Sequence, residues 1–177
     1  MRFPTLVVSS ALLFGLSNTL SAGEEATETW GDMQRDFHLA LQKDSLDVRL
    51  DGQLIATFYH RHNKIKRQFF AHLKTPSGIQ ITRNFPPQEG DPADHADMHP
   101  GLWMAFGKIS GEDFWRNKGA IVHQKFVGEP SAGRTASFTT LNHFIAPDGK
   151  LICRQTTAYK FVKDDAGVLL TIDARFS

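Results

Sequence analysis

Cysteine is almost absent: Cys153 is the single one in 177 residues, so no internal disulfide can form. Nor is there an apolar run long enough to cross a bilayer as a helix, because the stretch at 6–14 is broken by Ser9 and Ser10. An excess of charge of one sign is missing too. Lys+Arg number 20 against 19 Asp+Glu, a formal +1, which gives no general electrostatic attraction toward nucleic acid. The chain has neither a glycine-rich phosphate loop nor a Gly-x-Ser-x-Gly elbow, which argues against nucleotide enzymes and serine hydrolases. At 41% hydrophobic and 22% charged, the composition is that of one globular domain and excludes a disordered tail.

The N-terminus carries a pattern of its own. Residues 1–22 read as a secretory signal: Arg2, apolar residues at 6–8 and 11–14, then small polar residues through Ser21 and Ala22. Cleavage after Ala22, or after Ser21, leaves about 155 residues with 19 cations against 19 acids. The expected location is therefore periplasmic or secreted. There Cys153, which alternation puts on the face of Leu151 and Tyr159, is expected to be a small buried hydrophobe.

Residues 23–44 are polar and acid-rich and read as a leader, forming a short helical turn or remaining mobile. From there the period is two. Leu46, Val48 and Leu50 alternate with Asp47, Arg49 and Asp51, and Asp51-Gly52 turns the chain into 54–59, a strong hairpin signal. Further strands are predicted at 67–73, 79–82, 102–106, 120–127, 135–145, 150–162 and 168–176, separated by turn residues such as Pro147-Asp148-Gly149. With no long amphipathic helix between them, residues 45–177 are predicted to be an all-β antiparallel β-sandwich. The last strand sets Leu170, Ile172, Ala174 and Phe176 on one face and runs to Ser177, the pattern of a docked terminal strand or of a chain cut short.

Chemistry concentrates between strands. Asp94, His95, Asp97 and His99 precede Trp103, and Asp113, Trp115, Arg116 and Asn117 follow in a turn-rich stretch. Loops on a rigid sandwich are where binding groups sit. His95 and His99 are four apart, but Pro92 and Pro100 bracket so short a segment that one helical turn is the most it can form. Three readings stay open. Two imidazoles and Asp94 suit a divalent transition metal, although no Glu follows the first His as in a zincin. A sugar site would use Trp103 or Trp115 as a platform, Asp113, Arg116 and Asn117 as hydrogen-bonding groups, and His95, His99 or Asp94 as acid or base. Alternatively the histidines satisfy loop backbone and Trp103 packs the core. The basic run at 60–67 reads as a solvated connection, and His123 and His143 as strand histidines.

These residues also carry a resemblance. The run 73–83, then 94–103, Gly107, Gly111, Asp113-Phe114-Trp115 and His123 resemble the exported bacterial family labelled "methane oxygenase PmoA-like", a family of unknown function, over about 45–177. Many of its members carry a tighter Asp-His-Pro-His-His, whereas here Met98 replaces an imidazole, which weakens a three-histidine metal site. The resemblance implies a galactose-mutarotase-like supersandwich, incomplete at its C-terminus, in bacteria that degrade polysaccharides. It leads to the expectation of saccharide binding or transformation, with a non-catalytic glycan-binding module and a metal-dependent oxidoreductase as alternatives. No nucleic-acid partner and no membrane span after signal cleavage are expected, no metal ligand is assigned, and cofactor use is left open.

Overall fold

The computed structural model describes residues 28–30, 36–92, 94, 95 and 97–177. The expected signal segment, 1–22, lies outside them. The described residues form strands and no helix, arranged as two antiparallel sheets. One sheet is ordered β1 (Glu28–Trp30), β2 (Phe37–Leu41), β3 (Ser45–Leu50), β4 (Gln53–Tyr59), β5 (Phe69–Ala71). The other is a meander of β6 (Ala120–Phe126), β7 (Thr135–Ile145), β8 (Leu151–Asp164) and β9 (Gly167–Phe176).

The turns follow from local chemistry. Asp51 and Gly52 both take left-handed backbone, φ 51° and 79°, which matches the twist of β3 and β4 across a two-residue loop. At the β8–β9 turn the Asp164 carboxylate accepts hydrogen bonds from the Ala166 and Gly167 amides at 2.8 and 3.0 Å. Alternation then builds the core. Phe37, Leu39, Leu46, Val48, Phe58 and Phe70 of the first sheet meet Ala136, Phe138, Tyr159 and Phe161 of the second. Phe58 lies 4.9 to 5.1 Å from the rings of Phe70, Phe138 and Tyr159, so the two sheets are joined through tilted aromatic pairs. This is the predicted sandwich.

Its edges differ from the sequence reading in three places. Phe37–Leu41, assigned to a polar leader, is a strand whose first four residues are buried, because Phe37 and Leu39 add to the core beside Leu50 and Val48. The 79–82 and 102–106 segments are not strands. Each contributes an isolated bridge, Lys74 with Gln80 and Phe70 with Leu102. Leu102 exchanges both backbone hydrogen bonds with Phe70 at 2.7 and 2.9 Å, and this fastens the chemistry-bearing loop to β5. Gly101 is required there, since a Cβ would lie 2.0 Å from the Phe70 carbonyl oxygen. Cys153 is half-buried against the cluster of Phe114, Ile121 and Phe144, and burial raises its thiol pKa.

Candidate functional site

The site is organised by a residue from the run read as a solvated connection. Arg67 shares a sequence parity with Ile65, Phe69 and Ala71, which form a small core cluster, and is itself only 2% exposed. Its guanidinium donates to the carbonyls of Phe114 and Trp115 at 3.2 and 2.7 Å, to Asn117 Oδ1 at 3.0 Å, and to the Met98 carbonyl. Its carbon lies 3.7 Å from the centre of the Trp103 ring. Desolvation lowers its pKa to about 10, so it stays charged at neutral pH. One buried cation thus ties the 94–99 turn to the 113–117 turn across β5. The signal was available in the alternation, which puts Arg67 on the apolar face.

His95, Met98 and His99 close a tight turn. His95 takes φ 51°, and its carbonyl accepts from the Met98 and His99 amides, both at 2.8 Å. Arg83 holds the turn from the other side. It donates to the Pro92, Asp94 and His99 carbonyls at 3.3, 3.0 and 3.4 Å and forms a 3.2 Å ion pair with the Asp94 carboxylate. That hydrogen bond is the main reason the Asp94 carboxyl lies below the usual carboxylate range, which makes it an acceptor at neutral pH and a poor proton donor. Asp91 is depressed too, first by the Gln88 amide and then by Asn84, and braces the same loop.

The predicted residues are brought together around His99. Its ring lies 5.8 Å from His95, 5.8 Å from Trp103 and 6.3 Å from Trp115. Trp103 and Trp115 meet edge to face at 4.6 Å. With Arg67 over one face of Trp103 and Trp115 against it, Trp103 shapes the site from within, while Trp115, 41% exposed, turns a surface to solvent. Asp113, Arg116 and Asn117 have local duties. The Asp113 carboxylate accepts from the Trp115 and Arg116 amides at 3.0 Å and pairs with the Arg116 side chain at 3.1 Å, and the Arg116 amide is the first cause of its lowered pKa. Asn117 accepts from Arg67 and donates to the Asp97 carbonyl at 3.1 Å. Among the described residues, no three His, Cys, Asp or Glu side chains are placed to hold a metal ion together.

Beside His99 runs a groove of about 490 Å³. Leu73, Ile81 and Leu102 supply its apolar part, and Thr82, Arg83 and His99 its polar groups. A second groove of about 310 Å³ continues from Thr82 and Arg83 to Asn84 and Asp91. Arg83 was not singled out by spacing or motif, yet it lines both grooves and holds the loop between them.

Arg67 also lines a cleft of about 340 Å³, together with His60, Arg61, Ile65, Lys66, Ile121 and His123. His60 and His123 are buried with their rings 4.8 Å apart. Desolvation lowers both pKa values, His123 to about 4, where the neighbouring His60 adds to the effect and Asn142 opposes it. His123 is a strand histidine as expected, but it is packed against a second imidazole at the junction of the two sheets. His143, on the other face of β7, is only partly buried.

No curated protein and no solved structure matches the chain. The sequence model of one family does, over residues 45–177, the span that contains both grooves, Arg67 and the His99 cluster. By that match the chain belongs to the Family of unknown function (DUF6807).

Proposed function

We propose that this chain is a saccharide-binding module whose site is the groove from Ile81 and Leu102, past Arg83, to His99 and the exposed ring of Trp115. One observation carries the reading: a groove of about 490 Å³ with an apolar part made by Leu73, Ile81 and Leu102 and polar groups from Thr82, Arg83 and His99. A sugar ring has that same division, C–H faces that dock on apolar side chains and hydroxyls that need donors and acceptors at the rim. Trp115 extends the apolar surface beyond His99. Binding is favoured over turnover because the lining of this groove includes no carboxylate and the nearby Asp94 is engaged by Arg83. Export to the periplasm or beyond, and a galactose-mutarotase-like kinship within a polysaccharide-degrading system, belong to the same proposal.

Calorimetric titration with neutral and acidic oligosaccharides (gluco-, galacto-, xylo-, manno- and uronic-acid series) tests it. The expected result is saturable binding of at least one series, weakened about tenfold or more in Arg83→Ala and in Trp115→Ala, with no product formed. No binding by the folded chain to any series, or affinity unchanged in both variants, overturns the proposal.

A further inference from the structure

The cleft of about 340 Å³ has positive charge in its walls and no acid to balance it. Arg61, Lys66 and Arg67 line it with the imidazoles of His60 and His123, and no Asp or Glu does. Among the described residues, none of these three cations forms an ion pair. Arg67 is the extreme case. It is 2% exposed, its acceptors are three carbonyls and the Asn117 amide, all uncharged, and its Nε is buried with no hydrogen-bond partner. Burying a charge is costly unless a counter-charge accompanies it, so the chain itself leaves the positive potential of this wall uncompensated.

The cleft is also rigidly framed. Its walls are the 60–67 connection and the start of β6, and they are fastened together: Ile121 donates its amide to the Lys66 carbonyl at 2.7 Å, and Gln68 Nε2 donates to the Ile121 carbonyl at 3.0 Å. His60 and His123 meet across this junction with rings 4.8 Å apart. Besides desolvation, the charge of Arg61 lowers the pKa of both, so that guanidinium is within electrostatic reach of both rings. Asp44, which acts on His60 in the opposite sense, does not line the cleft. Ile65, Ile121 and Val122 give it an apolar side, and its volume lies at the lower end of the roughly 300–1,000 Å³ that small-molecule sites enclose.

We propose that this cleft is an anion site for a phosphate or sulfate group, free or carried as an ester on a small organic molecule. Arg61 and Lys66, both exposed, are the groups that pair with the anion directly. Arg67 stands behind them, where desolvation leaves its charge little screened. Donors on facing walls suit a tetrahedral oxyanion, whose oxygens point in several directions, better than a carboxylate, whose two oxygens lie in one plane. The apolar side then takes the carbon skeleton of an ester. This site is separate from the groove at Arg83 and His99, since the two linings share no residue, and it stands whether or not a saccharide binds there.

Calorimetric titration of the full chain at low ionic strength with inorganic phosphate, inorganic sulfate, a sugar phosphate, a sugar sulfate and, for comparison, acetate tests the proposal. Saturable one-to-one binding of at least one of the first four, tighter than acetate, is expected, and Arg61→Gln and Lys66→Gln should each weaken it about tenfold or more. Both side chains are exposed, so these variants keep the fold, which circular dichroism verifies. They also separate this site from the Arg83 groove, whose lining contains neither residue. Esters that bind more tightly than the inorganic ions identify an ester as the source of the group, and equal affinities identify the free ion; either result supports the site. No saturable binding of any of the four, acetate bound as tightly, or affinity unchanged in either variant overturns the proposal.

Discussion

Arg67→Met is the perturbation that probes the architecture of the site most sharply. Methionine keeps an unbranched stem beside Trp103 but removes four hydrogen bonds to the carbonyls of Met98, Phe114 and Trp115 and to Asn117. Nη1 has two hydrogens for three of these acceptors, so the set amounts to three full bonds, and at about 2 kcal/mol each, within the roughly 1.5–3 kcal/mol of bonds from a charged group, they contribute about 6 kcal/mol. Against this stands the cost of burying the charge. A pKa lowered from 12.5 to about 10 corresponds to about 3 kcal/mol. The difference leaves a net loss of about 3 kcal/mol for Arg67→Met, enough to consume a large part of a typical domain's stability. Urea unfolding followed by circular dichroism measures the loss. Tryptophan emission measures the local effect, since the guanidinium over Trp103 and the Trp103–Trp115 contact should both be disturbed. A variant as stable as the parent or more so, with unchanged emission, would refute the reasoning and show the buried cation to be a net burden, as some buried ionic groups are.

Three further outcomes are expected. His123 is neutral in the folded chain where an ordinary histidine would be charged, so the unfolded state binds more protons between pH 6.5 and about 4, and the lowered pKa of His60 acts in the same direction. Stability should therefore be complete above pH 6.5 and fall by about 3 kcal/mol on account of His123 as the pH drops to 4, a slope that thermal melts should find flattened in His123→Gln. Gly101→Ala should destabilise by about 1–3 kcal/mol or more in a thermal melt, because the new methyl group meets the Phe70 carbonyl, a backbone atom that cannot swing away. Gly107→Ala, with no atom within 4 Å of the added carbon, is the control and should be close to neutral.

The fold was legible wherever one face of a strand is buried. The alternation of 46–50, 135–145 and 168–176 predicts strands that begin and end within a residue of the observed ones, and Asp51-Gly52 names its own turn. Where pairing shrinks to one bridge, as at Gln80 and Leu102, the same apolar signal overpredicts a strand. Phe37–Leu41 was obscured by the polar sequence before it, although its own composition suits the core. The grouping of His95, His99, Trp103 and Trp115 follows from their nearness in sequence. The two arginines that hold them do not, because Arg67 reaches carbonyls 31 to 48 residues away and Arg83 acts mainly on backbone oxygens, which have no side-chain signature.

The central claim, that a saccharide occupies the groove built by Arg83 and the His99 turn, is tested most directly by mapping amide chemical shifts while titrating the tightest-binding oligosaccharide. Saturating shifts confined to Thr82, Arg83, His99, Leu102 and Trp115 are the result expected from this arrangement. Shifts centred instead on His60, Lys66 and His123, or no shifts at saturating sugar, would contradict it.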